Sequence, residues 1–405
     1  MQNEPGPDRE SGPARLAMAL WPAVVAIGAV HVWIGLRRPL AQRLPDLQVY
    51  IGAVQSSHIG EGLYDFAAKT SGAPFTYPPF AALVFGGLGL PPFDLTALVW
   101  SAGTVAIMIA TAVVMIRRSE LRSTAHRSLP IVVAASMLVS APVSSNLRFG
   151  QISVLLAALV LLDTLRIVPD RFAGLAVGLA AAVKLTPAIF IPYLWLTGQR
   201  RAAVTATGAF AGCTIAGWLV LPTDSARFWT AEIWHVNRIG DLAAGRNQSL
   251  NGALLRWEIT GIVRPSIVAL IGGAVVVLAF WRAVRAYRNG RPLAASAIVG
   301  AAGIVFSPVS WTHHQIWLVI AAFAAVSARP DRNFLWTATA LSIMTFPITA
   351  VGAGLPWEAV FRDARLWLAV AVAVGIPFLA VRDAADPRPP DEIGQLERRP
   401  RAGRR

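Results

Sequence analysis

Charge is scarce in this chain: of its 405 residues only 14% are Asp, Glu, Lys or Arg, against nearer 25% in soluble domains. What replaces charge is hydrophobic, at 55%, in apolar runs near twenty residues that recur from end to end. That pattern excludes a large soluble domain and predicts an all-α polytopic membrane protein. Lysine is nearly absent. Lys69 and Lys184 stand alone among 36 basic residues, and the rest are Arg. With abundant Ala, Gly and Val, that scarcity points to a GC-rich genome, so the net charge of +14 does not argue for a nucleic-acid partner. The single cysteine, Cys213, lies in an apolar span, which rules out an internal disulfide and suits small core packing. No Cys/His metal spacing, acidic cluster or nucleotide-binding loop is present, so the sequence demands neither a metal nor a cofactor.

The runs at about 16–36, 94–116, 129–145, 150–165, 203–221, 265–281, 293–307, 313–328, 333–351 and 366–381 read as full spans. The first is too long for a signal-peptide core and its leader carries acids, so it reads as a retained helix. Two regions are different. Residues 79–90 are too few to cross a core of roughly 30 Å at about 1.5 Å per residue. The run 172–196 is long enough, but Lys184 and Pro187 interrupt it. Making 79–90 re-entrant and 172–196 two half-helices places Arg117–Arg127, Arg166/Arg171, Arg200/Arg201, Arg282–Arg291 and Arg329/Arg332 on the cytoplasmic side. The expectation is about twelve crossings with both termini in the cytoplasm and an outward-facing cavity, since broken helices survive only against protein or water. Residues 1–15 and 382–405 would be cytoplasmic tails flanking a membrane domain over 16–381. The last is Pro- and Arg-rich, reads as disordered, and would touch anionic membrane lipids.

The same arrangement turns the unusual polar residues to one side. Asp46, about ten residues past the end of the first span, suits a general base that takes a proton from an attacking hydroxyl, or simply an ordinary loop acid or helix cap. Glu61 and Asp65 are its local rivals. Tyr77-Pro78-Pro79-Phe80 is a rigid helix entry, and Tyr77 is also placed to touch a ligand. Asn146 and Gln151 interrupt two spans and suit either sugar hydroxyls or backbone capping. Lys184 in an apolar span is paired, snorkelling, or a phosphate contact. The 222–264 loop brings His235, Arg246, Asn247, Gln248 and Asn251, where an Arg fork suits phosphate and the amides suit a sugar; a solvated interfacial loop has the same composition. Trp311, His313 and His314 open a span, and on a helix two adjacent histidines point about 100° apart, so only one would face a ligand fully.

Taken in order, Asp46, Tyr77–Phe80, Asn146/Gly150/Gln151, Lys184/Pro187, Asn247–Gly252 and Ser307–His314 resemble the pattern of glycosyltransferase family 87, polyprenol-phosphate-sugar-dependent enzymes of the GT-C class. The resemblance covers most of residues 16–381. It implies a GT-C fold, a polyprenyl-phosphate mannose donor and a glycolipid acceptor. Tyr64-Asp65-Phe66 and Pro74–Phe80 look most like members that extend phosphatidylinositol mannosides through α-1,2 links. Relatives in the family branch lipomannan or transfer arabinofuranose, and fold alone does not choose among them. On this reading the chain is an inverting transferase at the outer face of the plasma membrane. Asp46 is the base, His313 or His314 orients it or meets the donor phosphate, and Lys184 and Arg246 bind that phosphate. Tyr77, Asn146, Gln151, His235, Asn247, Gln248, Asn251 and Trp311 would hold the substrates. A secondary transporter or flippase is the rival from another class, but it usually shows internal repeats and ionisable groups deep in several spans. A non-catalytic scaffold for cell-wall assembly would not need these groups to converge.

Overall fold

The computed structural model of the protein describes residues 11–119, 128–347, 354 and 357–378. The expected C-terminal tail, the first ten residues and the loop carrying Arg122, His126 and Arg127 lie outside them. Among the described residues the architecture is helical, with one isolated antiparallel bridge between Ala67 and Pro74.

Proline does much of the punctuation. Among the described residues it takes one of the first two positions of seven α-helices, where its fixed φ is helical and its missing N–H has no intrahelical partner to lose. These are α2 (Pro45–His58), α3 (Pro79–Phe85), α5 (Leu129–Val139), α6 (Ala141–Phe149), α11 (Pro222–Thr230), α14 (Pro292–Phe306) and α16 (Pro330–Thr345). Between them run α1 (Ser11–Leu36), α4 (Phe93–Arg118), α7 (Ser153–Thr164), α8 (Leu175–Val183), α9 (Phe190–Leu196), α10 (Arg200–Val220), α12 (Leu250–Arg256), α13 (Val263–Arg288) and α15 (Ile316–Ala321). Two short helices, α17 (Glu358–Arg362) and α18 (Ala364–Gly375), complete the described chain. At the centre α14 is apolar all round and almost wholly buried, packed by α13, α15 and α18, as a helix without a polar face must be.

Among the described residues four helices are long and apolar enough to cross a membrane: α1, α4, α10 and α13. The bent pair α5–α6 makes a fifth. Several runs expected as full spans are therefore shorter elements. The run 129–145 bends by 57° where Ser140 leaves the helical region. The run 313–328 is α-helical only over Ile316–Ala321. The run 150–165 starts its helix at Ser153. In each case polar or Pro-containing sequence interrupts the backbone ladder. The run 172–196 breaks where its sequence implies: α8 ends at Val183, Lys184 is extended at φ −150°, and Thr186–Ile189 is a 3-10 turn leading into α9. Residues 79–90 form a short helix and a 3-10 turn, too short to cross alone.

Two glycines permit the close approaches that shape this frame. Gly174, at φ +94°, would put a Cβ 1.9 Å from the Ala202 carbonyl oxygen, so α8 meets α10 without an intervening side chain. Asp163 of α7 then caps α8, accepting from the Gly174 and Val177 N–H groups at 2.8 Å each. Gly150, at φ +70°, ends α6; a Cβ there would lie 2.9 Å from the Cβ atoms of Leu44 and Leu47. That approach brings the α6–α7 corner against the first turn of α2, on either side of Asp46.

Candidate active site

Leu44 takes a left-handed conformation at φ 44°, Pro45 opens α2, and Asp46 follows in its first turn. A carboxylate there is favoured by the helix dipole. Because Gly150 closes on Leu44 and Leu47, the next residue, Gln151, reaches Asp46, and its Nε2–H donates to Asp46 Oδ2. The same amide's Oε1 lies within hydrogen-bond reach of the hydroxyls of Tyr77, at 3.0 Å, and Tyr50, at 3.1 Å. Tyr50 lies four residues after Asp46, on the same face of α2.

Asp46, Tyr50, Tyr77 and Gln151 form one wall of a cavity of about 560 Å³. Lys184 projects into it from the break after α8, with Nζ 2.9 Å from His314 Nε2 and 3.4 Å from the Tyr77 hydroxyl. Among the described residues no carboxylate pairs with Lys184 within 4.0 Å. His313 and His314 do not sit on an α-helix. They belong to a 3-10 turn, Thr312–Gln315, and their rings meet edge-on with centroids 4.4 Å apart. Both therefore line the cavity, contrary to the expectation for an α-helix. His313 Nε2 is buried and takes no partner from the protein, whereas His314 is engaged by Lys184. Neither histidine bonds Asp46; Gln151 does. On the far wall the Arg246 guanidinium lies over the Trp311 ring, 5.1 Å from its centroid, and His235 is exposed at the rim.

The remaining amides have other duties. Asn146 is buried; its Nδ2 donates to the Gln151 carbonyl at 2.7 Å and its Oδ1 accepts from the Val154 N–H at 3.2 Å, fixing the corner that carries Gln151. Asn247 is fully buried, accepts from the Ser310 N–H at 2.8 Å and donates to the Leu242 carbonyl at 2.9 Å. Gln248 bonds the backbone of Gly245, Arg362 and Leu366, and Asn251 donates to the Pro308 carbonyl at 3.1 Å. None of these four lines the cavity. Asn247 and Asn251, with the Gln248 backbone N–H donating to the Ser310 carbonyl, hold the loop bearing Arg246 against the segment bearing Trp311 and the histidines. From the other side a buried ion pair, Arg256–Asp363, anchors the loop; Arg256 donates to the Ala244 carbonyl at 3.1 Å and the Asn247 carbonyl at 2.9 Å.

The rival acids are occupied elsewhere: Asp65 pairs with Arg227 at 2.6 Å and Glu61 accepts from Ser56. Glu232 and Arg238 also line the cavity; Arg238 belongs to the Arg- and amide-bearing 222–264 loop that the sequence marks, whereas Glu232 carries no such signal. They pair with each other, and with Arg227 they tie the 232–239 segment to the Tyr64–Asp65 loop. Burial pushes the Asp46 carboxyl up to about 6, against the opposing effects of the Gln151 hydrogen bond and the Lys184 charge. Asp46 thus combines a cavity position with a proton affinity suited to a base near neutral pH. Among the described residues no three of His, Cys, Asp or Glu gather to hold a metal ion.

Residues 75–308, more than half of the chain, match the model of glycosyltransferase family 87. The chain is 33% identical over 335 residues to the polyprenol-phosphate-mannose-dependent alpha-(1-2)-phosphatidylinositol mannoside mannosyltransferase of Mycobacterium tuberculosis (strain ATCC 25618 / H37Rv), covering 74% of this chain and 75% of that protein. It is also 33% identical over 358 residues to the polyprenol-phosphate-mannose-dependent alpha-(1-2)-phosphatidylinositol pentamannoside mannosyltransferase of Mycolicibacterium smegmatis (strain ATCC 700084 / mc(2)155), covering 85% of this chain and 83% of that protein. By the extent of the family match and the identity to these relatives, the chain belongs to glycosyltransferase family 87.

Proposed function

We propose that this chain transfers mannose from polyprenyl-phosphate mannose to a hydroxyl of a phosphatidylinositol mannoside, forming an α-1,2 link. The observation that carries the reading is the single cavity onto which Asp46, Lys184, Arg246 and the two histidines all open. The relatives' names supply the donor and acceptor class.

The acceptor oxygen attacks the anomeric carbon while Asp46 takes its proton. The bond from that carbon to the phosphate oxygen breaks, and the electron pair leaves with the polyprenyl phosphate. A β-linked donor then gives an α product, so the transfer inverts. Lys184 and Arg246 offset the charge that develops on the departing phosphate, in positions fixed before reaction. The unpartnered His313 Nε2 offers a contact to a phosphate or sugar oxygen. A narrow, mainly apolar crevice lined by Leu156, Val160, Phe190, Ile304 and Trp317 adjoins the cavity at Lys184 and His314. It supports seating the first isoprene units beside the phosphate. Arginine placement supports about twelve crossings, cytoplasmic termini and a cavity opening to the outer face of the plasma membrane.

The test is to incubate purified protein with labelled polyprenyl-phosphate mannose and phosphatidylinositol mannosides of defined length. Label should enter the glycolipid through an α-1,2 linkage. Movement of donor across sealed vesicles without transfer would favour a flippase, and transfer only from an arabinofuranosyl donor would reassign the sugar.

A further inference from the structure

The hydrogen bonds around Gln151 distinguish the two carboxylate oxygens of Asp46. The amide has two faces, a carbonyl oxygen that only accepts and a nitrogen that only donates. Three buried or half-buried groups surround it: Asp46, Tyr50 and Tyr77. The two phenols lie 2.8 Å apart, so one donates to the other and the remaining hydroxyl proton needs a further acceptor. Tyr77 has Lys184 on its other side, 3.4 Å away, and an ammonium has no acceptor to offer. Gln151 Oε1 is thus the acceptor within reach of both hydroxyls, at 3.0 and 3.1 Å. A buried hydroxyl proton left unpaired costs about 1–3 kcal/mol, which opposes rotation of the amide. With Oε1 held by the phenols, Nε2 faces Asp46 Oδ2 and can only donate to it. Among the described residues nothing bonds Asp46 Oδ1, and Asp46 lines the cavity.

We propose that Tyr50 and Tyr77 are positioning residues that lock the Gln151 amide with its nitrogen toward Asp46, reserving Asp46 Oδ1 as the atom that receives the acceptor's proton. A proton arriving on Oδ2 would meet the Nε2–H head-on. A proton on Oδ1 leaves the Gln151 bond intact and stays at the cavity, where water removes it after transfer. An amide does not pass protons along, so the chain Lys184–Tyr77–Gln151–Asp46 orients the base rather than draining it. The charged and titratable groups facing Asp46 in this arrangement are Lys184, Tyr50 and Tyr77.

This inference rests on Asp46 acting as the base, and its test is separable from that reading. Infrared difference titration of the purified protein, with the Asp46→Asn variant as blank, follows the Asp46 carboxyl without any substrate. In Gln151→Leu the midpoint should rise by about one pH unit or more, because a hydrogen bond to a charged group is lost. The Tyr50→Phe/Tyr77→Phe double variant should raise it in the same direction, since the freed amide can turn its oxygen toward a protonated Asp46. Adding the two Phe changes to Gln151→Leu should produce no further rise. In the transfer assay Gln151→Leu should lower kcat at least tenfold while leaving the donor KM within about threefold. An unmoved midpoint in Gln151→Leu overturns the proposal even if activity falls. So does a rise in the double variant that adds in full to that of Gln151→Leu. Absence of mannose transfer by the unaltered protein would instead refute the function and leave the titration standing.

Discussion

Replacing Asp46 by Asn removes a carboxylate that the fold holds under strain. Burial raises its proton affinity from the ordinary value of 3.8 to about 6, with Gln151 and Lys184 opposing the rise. The folded protein therefore binds this proton more tightly than the unfolded chain does. Stability is unaffected by the group below pH 3.8, falls as pH rises from there toward 6, and stays reduced above it. At about 1.36 kcal/mol per unit the full penalty is about 3 kcal/mol, and the partial exposure of Asp46 at the cavity discounts it to about 1–2 kcal/mol. Asn keeps the shape, and its Oδ1 still accepts from Gln151 Nε2, so the exchange removes the charge and little else. Asp46→Asn should raise the thermal midpoint of the detergent-purified protein at pH 7.5 and leave it unchanged near pH 4. Tryptophan fluorescence on heating measures this. An equal or lower midpoint at pH 7.5, or the same gain at both pH values, would refute the burial argument. The same group sets the rate: kcat/KM should fall on the acid side with a midpoint near 6, because only the ionised form accepts a proton.

Lys184→Ala should weaken donor binding more than acceptor binding, measured as separate Kd values; the reverse order would move the donor phosphate to Arg246. Asn247→Ala leaves the Ser310 N–H and the Leu242 carbonyl unpaired in the interior. It should cost about 1–3 kcal/mol of stability, read as a lower thermal midpoint; an unchanged midpoint with a raised KM would return Asn247 to a sugar-binding role. Asp363→Ala strands a buried Arg256 guanidinium and should destabilise the fold by about 3–5 kcal/mol, with loss of expression or of the thermal transition as the readout.

Parts of this site were legible in the sequence because their chemistry is local. A lysine in an apolar run two residues before Thr186-Pro187 announces a broken helix, and the chain does break at Lys184. Asp46 stood out because acids are rare here and it opens the polar stretch after the first span. The signal for Tyr50 was present as an i, i+4 pair with Asp46 on one helix. Its Gln151 partner is 105 residues from Asp46, and only the tight packing at Gly150 joins them. The histidine pair was judged by α-helical geometry, whereas a 3-10 turn aims both rings at one space. Asn247 and Gln248 have the composition of sugar ligands, but burial spends their polar atoms on backbone. Residue type cannot separate those uses, since an amide that closes a buried loop and one that meets a hydroxyl offer the same donors and acceptors. The bend at Ser140 escaped hydropathy because the strongly apolar α5 carries the more polar α6 with it, and the two together read as one span.

The central claim is that Asp46 deprotonates the acceptor. Its most direct measurement is single-turnover transfer of labelled mannose from polyprenyl-phosphate mannose by the purified protein and by Asp46→Asn, with donor affinity determined for both. Transfer should fall by about 10²–10⁴-fold while donor affinity stays within about threefold. Transfer by Asp46→Asn at a rate near that of the unaltered protein would contradict the account.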